Sequence, residues 1–217
     1  MPHNKLNIAE IRKDYMLAQL DEDAVGNDPI LFFRKWFTEA EAAQITEINA
    51  MTLATVDSGN HPHARIVLLK GLDQQCFVFF TNYDSSKGRE INANPNVTLL
   101  FFWKELERQV RIEGVIEKIP ENESDIYFHS RPKGSRLGAW ASPQSREIAD
   151  RNILDLNYAK YEEEFSNIEI PRPPHWGGYR VLPTRIEFWQ GRSSRMHDRL
   201  LFTKKETGDW GRSRLAP

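Results

Sequence analysis

The chain has 217 residues, of which 40% are hydrophobic and 28% charged, and this suits one large domain with an apolar core. Its 29 Lys and Arg nearly balance its 31 Asp and Glu, so the formal net charge of −2 offers no overall field for binding nucleic acid or an anionic membrane. Cys76 is the only cysteine, and no apolar run reaches the roughly 20 residues of a membrane helix, so we expect a cytoplasmic protein with neither a disulfide framework nor a membrane span.

The first fifty residues are predicted to be helical. A capping-box pair and apolar residues at helical spacing predict a helix over 7–20, followed by an acidic linker. Asp28 and Pro29 then form a cap followed by proline, which marks the start of a second helix. Thr38 and Glu41 have the spacing of another capping box and predict a new helix at that point.

Strands follow in the next part of the chain, because the apolar period changes there. Residues 51–56 and 63–70 flank a four-residue turn and predict a β-hairpin. Residues 76–81 and 97–103 are apolar on both faces, so they are predicted as central strands covered on both sides, with one short helix between them. Residues 108–119 alternate and predict a further strand.

The remainder of the chain is predicted to return to helix and then to strand. Residues 121–166 are predicted to be helical with a break at Arg131, because Pro132 disfavours helix in the residue before it. A loop rich in proline and glycine leads to a last β section. About six or seven strands with helices at the front and after the fifth strand predict a mainly β protein with flanking helices, of the α+β class, built as an antiparallel barrel.

Two groups of residues have the chemistry of an anion site. Arg65 and Lys70 lie at the two ends of an apolar strand, on opposite faces and about 16 Å apart at ~3.3 Å per residue. One phosphate cannot easily contact both, so they are either solvated strand ends or two separate anion sites. Residues 81–87 place hydroxyls, amides and a lysine between a buried strand and a helix N-terminus. This arrangement suits a phosphate, although an ordinary serine cap explains it about as well.

A second candidate anion pocket follows the helix break. Tyr127 and Arg131 should lie at the end of one helix, and Ser135 in the first turn of the next. A guanidinium, a phenol and a hydroxyl then converge on a helix N-terminus. A surface helix–turn–helix with solvated charges is the ordinary alternative.

The last chemical cluster is an Arg-x-His pair, Arg195 and His197, which share a face in extended chain. A lone histidine is more often structural, but this pair beside Trp189 can bind a charged aromatic ring and handle protons near neutral pH. The six histidines are scattered without zinc spacing, so no metal site is predicted.

Taken together, several motifs carry a resemblance that none of them carries alone. They are RIVLLK, FFTN, ERQVRIEG, YFHSRPKGS, GAWASPQS, WGGYR, EFWQG, RMHDR and a terminal RLAP. In this order, from about Arg12 to Pro217, they resemble the pyridoxine/pyridoxamine 5′-phosphate oxidase family. The resemblance implies an antiparallel FMN-binding split barrel and a homodimer with FMN at the subunit interface. It also implies oxidation of pyridoxamine or pyridoxine 5′-phosphate to pyridoxal 5′-phosphate, with O2 as acceptor and H2O2 as product.

The resemblance also implies residue roles. Residues that resemble FMN contacts are Arg65, Ile66, Val67, Leu68, Leu69, Lys70, Phe80, Thr81, Ser86, Lys87, Gln109, Gln144, Ser145, Trp189 and Arg199. Residues that resemble substrate contacts are Arg12, Lys13, Asp14, Tyr15, Lys70, Tyr127, Arg131, Ser135, Arg195, Met196 and His197, with Arg195 and His197 as the catalytic pair. Residues 1–28 are expected to form an N-terminal helix and lid, and residues 29–217 the oxidase domain with its C-terminal dimerisation region.

Two positions depart from the family pattern. Ser86 stands where the family usually has arginine before the lysine of the phosphate loop, which predicts weaker FMN retention. Arg146 follows Gln144 and Ser145 where the family tends to have a second serine, and its charge could compensate. Two other readings stay open: a non-catalytic flavin or pyridoxal-phosphate carrier, which could lack residues 195–197, and a split-barrel flavin or deazaflavin reductase, which generally lacks YFHSRP and the R-x-H-D-R motif.

Overall fold

The computed structural model describes residues 14–73 and 75–217, and within them lie six α-helices and nine strands. The helices are α1 (Glu22–Val25), α2 (Pro29–Ala42), α3 (Ser86–Ala93), α4 (Glu121–Ser130), α5 (Lys133–Ala141) and α6 (Asn152–Glu164). The strands are β1 (Ala50–Val56), β2 (Pro62–Leu68), β3 (Gly71–Asp73), β4 (Cys76–Asn82), β5 (Asn96–Trp103), β6 (Arg108–Lys118), β7 (Trp176–Gln190), β8 (Asp198–Lys204) and β9 (Trp210–Leu215).

The strands pair in the order β2-β1-β5-β6-β7-β4-β3, with β8 on β7 and β9 on β8. The pairs β1–β2, β1–β5, β3–β4, β4–β7 and β8–β9 are antiparallel. In the predicted hairpin, Ala50 lies opposite Leu68 and Val56 opposite Pro62, so both hairpin strands are confirmed. The strand count exceeds the six or seven predicted because β3 has only three residues and β9 lies in a tail that was not assigned.

The chain forms two compact units, and each is described by itself. The first, called the α2 unit, comprises residues 14–48 of the described chain together with 102–110 and 186–217. Asp28 caps α2 as predicted, since its carboxylate accepts hydrogen bonds from the backbone N–H of Ile30 at 2.8 Å and of Leu31 at 3.2 Å. The aromatic residues of α2 form its core with β7 and β8, where the Phe188 ring lies 4.8 Å from Phe32.

Three predictions for the front of the α2 unit are wrong. Residues 14–20 are not helical, because the Leu17 N–H donates to Glu107 Oε2 at 3.2 Å and the Leu20 N–H to Asp198 Oδ2 at 3.0 Å. These long-range bonds replace the helix ladder, while residues 7–13 of the predicted helix lie outside the described residues. The predicted linker contains α1, and α2 runs through Thr38 without a new start.

The second, called the α4–α5 unit, comprises residues 49–101 and 111–185. The predicted helix break is confirmed: α4 ends at Ser130, Arg131 is extended with ψ 149°, and α5 begins after Pro132. Buried side chains of α4, α5, the end of α6, the loop after it and the start of β7 form one hydrophobic cluster. Its members are Phe128, Leu137, Phe165, Ile170 and Trp176.

The two central strands lie inside the sheet as predicted, but the prediction that both of their faces are covered does not hold throughout. β5 lies between β1 and β6, and β4 between β7 and β3. Phe102 on β5 nevertheless has an exposed fraction of 55%, so the expectation that both faces are covered is wrong there. One face of that strand end is left open by the single chain. No helix in the described ranges is both long enough and apolar enough to cross a membrane.

Candidate functional site

A cavity of about 670 Å³ lies within the α4–α5 unit, a volume typical of sites for small molecules and cofactors. The described residues that line it are Ile66, Val67, Leu68, Lys70, Phe80, Thr81, Asn82, Lys87, Tyr127, Arg131, Pro132, Ser135, Gly138, Ala139, Ser142, Gln144 and Trp176. The strand end after β2, the α3 start and the α4–α5 break therefore share one cavity. Residues of the two candidate anion sites predicted at 81–87 and 127–135 therefore line the same cavity.

One part of the cavity is built on the N-terminus of α3. Ser85 caps this helix: its hydroxyl accepts from the Gly88 N–H at 3.4 Å. Lys87 Nζ lies 3.2 Å from Ser85 Oγ and 3.2 Å from Gln144 Oε1. Burial, with a smaller contribution from Arg65, lowers the pKa of Lys87, and Glu90 opposes this shift. A cation desolvated in this way gains when an anion arrives.

Arg65 is held by a carboxylate and a hydroxyl. Its Nη2 lies 2.7 Å from Glu90 Oε2, and Nη1 donates to Thr55 Oγ1. Burial alone would raise the pKa of Glu90, but the hydrogen bonds from Thr55 and Arg65 outweigh it and the pKa lies below its usual value. The Arg65 charge is therefore largely balanced by an ionised neighbour.

Arg131 is held without a carboxylate. Its Nη1 is buried and has no hydrogen-bond partner within residues 14–73 and 75–217. The guanidinium carbon lies 4.5 Å from the Trp176 ring centroid and 5.6 Å from that of Phe128. Burial lowers the pKa of Arg131, and Tyr127 opposes the shift. A buried N–H donor left unpaired in a cavity is costly, and a bound anion would satisfy it.

Two further groups accompany Arg131. Tyr127, one turn earlier on α4, stacks on Phe80 with ring centroids 3.8 Å apart. Ser135 lies in the first turn of α5, where Pro132 occupies the cap position and provides no side-chain cap. The Ser135 N–H donates to the Pro132 carbonyl at 2.9 Å, whereas no side chain caps the amides before it, and the helix dipole favours a negative ligand there.

The predicted aromatic and histidine residues meet in the α2 unit. The Trp189 ring lies 4.7 Å from His197 and 5.8 Å, edge to face, from Tyr15. His197 Nδ1 accepts a hydrogen bond from the Arg192 N–H at 3.1 Å. In the neutral imidazole the proton is then on Nε2, so that atom is a donor.

Arg195 and Arg199 in the same unit differ in how they are held. Arg199 Nε lies 2.8 Å from Glu187 Oε1, and its Nη1 donates to the Ala216 carbonyl at 2.8 Å. Arg195 is exposed and has a left-handed backbone with φ 61°, directly after Ser194 with φ 55°. Two adjacent non-glycine residues in this region store strain, which is typical of functional loops.

Comparison with known proteins decides the family. Residues 37–164 match a family described as pyridoxamine 5′-phosphate oxidase, and residues 176–217 match a pyridoxine 5′-phosphate oxidase C-terminal dimerisation region. This chain belongs to the pyridoxine/pyridoxamine 5′-phosphate oxidase family. A Ralstonia nicotianae protein described as pyridoxine/pyridoxamine 5′-phosphate oxidase 1 is 59% identical over 97% of this chain and 99% of its own length. An Acidovorax protein described as pyridoxine/pyridoxamine 5′-phosphate oxidase is 57% identical over the whole of both chains.

Two solved structures share this fold. PhzG from Burkholderia lata 383, crystallised with tetrahydrophenazine-1-carboxylic acid, has a TM-score of 0.87 at 29% identity, covering 94% of this chain and all of its own. A pyridoxamine 5′-phosphate oxidase-related, FMN binding protein from Nostoc punctiforme has a TM-score of 0.69 at 16% identity, covering 85% and 97%. The predicted class, an antiparallel split barrel with flanking helices, is confirmed.

For this oxidase family member the cavity brings together about half of the predicted site residues. Arg65, Leu69, Ser86 and Ser145 lie in the α4–α5 unit but are not among the described residues that line the cavity. Asp14, Tyr15, Gln109, Trp189, Arg195, Met196, His197 and Arg199 belong to the α2 unit, and Arg12 and Lys13 lie outside the described residues. Sequence analysis did not predict Asn82, Pro132, Gly138, Ala139, Ser142 and Trp176 as site residues. Of these, Trp176 had a signal, since it opens the WGGYR motif after the Pro/Gly loop.

Proposed function

We propose that the chain is an FMN-dependent oxidase that converts pyridoxamine 5′-phosphate and pyridoxine 5′-phosphate to pyridoxal 5′-phosphate. The observation that carries the proposal is Nη1 of Arg131, which is buried and unpaired among the described residues, in a cavity that also holds Lys87. Two cationic ends in one cavity suit two phosphate esters, one on the cofactor and one on the substrate. Relatives at 59% and 57% identity are named for oxidation of these phosphate esters.

The residues present fit FMN. Lys87, Thr81, Gln144 and the N-terminus of α3 would hold its phosphate, and the apolar wall of Ile66 and Leu68 would face its flat ring. Both wall residues are exposed in the single chain, Ile66 to 64%. An exposed apolar wall of this kind supports a homodimer with the cofactor at the subunit interface. The C-terminal region matched at 176–217, described as a dimerisation region, supports it too.

The substrate would be held by its phosphate. Arg131, Tyr127, Ser135 and Lys70 would bind this group, which lies away from the carbon that is oxidised. Binding a non-reacting group fixes the reacting carbon in place. Arg195 and His197 are proposed to face the pyridine ring, where Nε2–H of His197 would donate a hydrogen bond. FMN, when bound, would supply the two-electron oxidation of the substrate, with O2 as the final electron acceptor and H2O2 as its product.

Residues 1–28 are proposed as a lid and residues 29–217 as the oxidase domain, with the cytoplasm as its location. The described part of the lid packs on the α2 unit, where Tyr15 contacts Trp189 and His197. Arg12, Lys13 and Asp14 of the same segment are proposed as substrate contacts. Gly191 makes this contact possible, since a Cβ there would lie 2.8 Å from Tyr15 Cγ.

Replacing Gly191 with alanine is therefore expected to displace Tyr15 and raise the KM for pyridoxamine 5′-phosphate roughly threefold, because the flexible ring can move at modest cost. Steady-state kinetics measures this change. In a Tyr15→Ala background the same substitution should have no further effect on KM. A full threefold effect in that background would show that Gly191 does not act through Tyr15.

The proposed function is tested on the purified protein. A flavin absorption spectrum after FMN loading, followed by H2O2 release on adding pyridoxamine 5′-phosphate, is the expected result. Flavin binding with no peroxide from either phosphate ester would favour the carrier. Turnover with a nicotinamide or deazaflavin donor alone would favour the reductase.

The Ser86 position gives a prediction about the cofactor. Ser86 Oγ accepts a hydrogen bond from Arg89 Nη2 at 3.3 Å, so the guanidinium of Arg89 lies beside the phosphate loop but does not belong to it. Ser86→Arg is expected to lower the FMN dissociation constant about tenfold, the effect of one charge-assisted hydrogen bond. Titration of apoprotein with FMN, followed by quenching of flavin fluorescence, measures it. Ser86→Ala is the control without added charge; an unchanged dissociation constant in Ser86→Arg would disprove this role.

A further inference from the structure

Two half-buried arginines of the α4–α5 unit, Arg65 and Arg131, are held by opposite means. Arg65 has Glu90 as an ionised partner at 2.7 Å. Arg131 instead lies against aromatic rings and keeps a buried Nη1 unpaired among the described residues. A carboxylate would hold Arg131 equally well, but it would also cancel the charge and occupy the N–H groups that a phosphate needs. An aromatic face attracts the cation through its quadrupole and leaves the N–H edge open.

Trp176 is the ring best placed to do this. Its centroid lies 4.5 Å from the guanidinium carbon of Arg131, closer than that of Phe128 at 5.6 Å. The Trp176 side chain is itself fixed in a stack, nearly parallel to Phe80 at 5.6 Å and to Tyr127 at 6.2 Å. Its exposed fraction is 6%, so water competes little for the cation.

The backbone of Trp176 is anchored as well. Its N–H donates to the Pro173 carbonyl at 3.0 Å, and its carbonyl accepts from Arg172 Nη1 at 2.7 Å. Arg172 in turn forms an ion pair with Asp125 on α4, the helix that ends at Arg131. The ring and the guanidinium are therefore tied to the same helix.

We propose that Trp176 is a positioning residue for the substrate phosphate, acting through Arg131. It holds the guanidinium by a cation–π contact that leaves its charge and its N–H groups free for a dianionic ester. This inference rests on the proposed function, because it names the residue that prepares the phosphate pocket of that same site. The pairing of an arginine with an indole instead of a carboxylate is what selects a doubly charged ligand.

The test uses the FMN-loaded protein and three variants. Trp176→Leu removes the ring and is expected to raise the KM for pyridoxamine 5′-phosphate about tenfold with kcat little changed. Trp176→Phe keeps a weaker aromatic face and should raise KM about threefold. Trp140→Leu is the matched control: this tryptophan of the same unit packs on Tyr161 and Phe165, and its loss should leave KM unchanged.

A double-mutant cycle separates positioning from simple packing. In an Arg131→Ala background, Trp176→Leu should change KM by less than about twofold, since the group it positions is gone. A multiplicative effect, tenfold in both backgrounds, would overturn the proposal. If Trp176→Leu does not fold, the cycle with Trp176→Phe decides in the same way, with about threefold expected in the wild-type background and none in Arg131→Ala.

A binding measurement keeps this inference apart from the proposed function. Inorganic phosphate is titrated into FMN-loaded protein and followed by ³¹P NMR. Binding weakened about tenfold by Trp176→Leu and abolished by Arg131→Ala supports the positioning role. If that pattern holds but neither phosphate ester yields H2O2, the proposed function fails and the positioning role stands. Equal phosphate affinity in Trp176→Leu and wild type would overturn the positioning role, whatever the activity.

Discussion

Replacing Arg131 with alanine is expected to raise the KM for pyridoxamine 5′-phosphate about 30-fold, with kcat changed by less than about threefold. The reason is the unpaired Nη1, which is buried in the cavity and has no partner in the described part of the chain. Charge-assisted hydrogen bonds to a phosphate contribute about 1.5–3 kcal/mol, and no acceptor in the described part of the chain competes for Nη1. Steady-state peroxide release over a range of substrate concentrations measures both constants.

Arg185→Ala is the matched control for this prediction. Arg185 belongs to the same α4–α5 unit, is exposed, and pairs with Glu113 at 3.1 Å. Its loss removes a charge and a surface ion pair, which contributes little to stability, so KM should stay within about twofold of wild type. A large fall in kcat with KM unchanged in Arg131→Ala would show that this arginine is not a phosphate ligand.

The part of the site that sequence could predict depends on local signals. Pro132 fixes the end of one helix and the start of the next, and so brings Tyr127, Arg131 and Ser135 together within nine residues. The same holds for Ser85, which caps α3 beside Lys87. The helix break before proline and the serine cap both depend only on residues that are neighbours in the chain. The structure places all these residues as these local signals predict.

The parts that sequence could not predict depend on contacts between distant residues. Glu90 on α3 holds Arg65 on β2 across 25 positions, and only the folded chain brings the two side chains within 2.7 Å. Residues 14–20 carry a helical pattern, yet their N–H groups find Glu107 and Asp198 as partners. Trp176 reaches Arg131 from the start of β7, 45 residues later (176 minus 131). In each case tertiary contacts override or add to the local preference.

The largest effect on turnover is expected from Arg195. Replacing it with leucine should lower kcat/KM about 100-fold, mostly through kcat, if its cation stabilises charge that develops during the reaction. The backbone around it is strained, with φ 61° at Arg195 and φ 55° at Ser194. That strain costs roughly 1–2 kcal/mol per residue, and the surrounding bonds maintain it: the Met196 N–H donates to the Ser193 carbonyl at 3.1 Å.

The Arg195 side chain is exposed, so it contributes no packing energy that would offset the backbone strain. A functional role therefore explains the strain better than a structural one. Arg195→Leu should therefore leave the midpoint of thermal unfolding nearly unchanged while activity falls. Arg195→Lys keeps the charge and should recover part of the rate, and Ser193→Ala in the same loop should leave the rate intact. The opposite result would be an Arg195→Leu variant that raises only KM and an Arg131→Ala variant that lowers only kcat. The two assignments would then have to be exchanged, because Arg195 would bind the substrate and Arg131 would affect the rate.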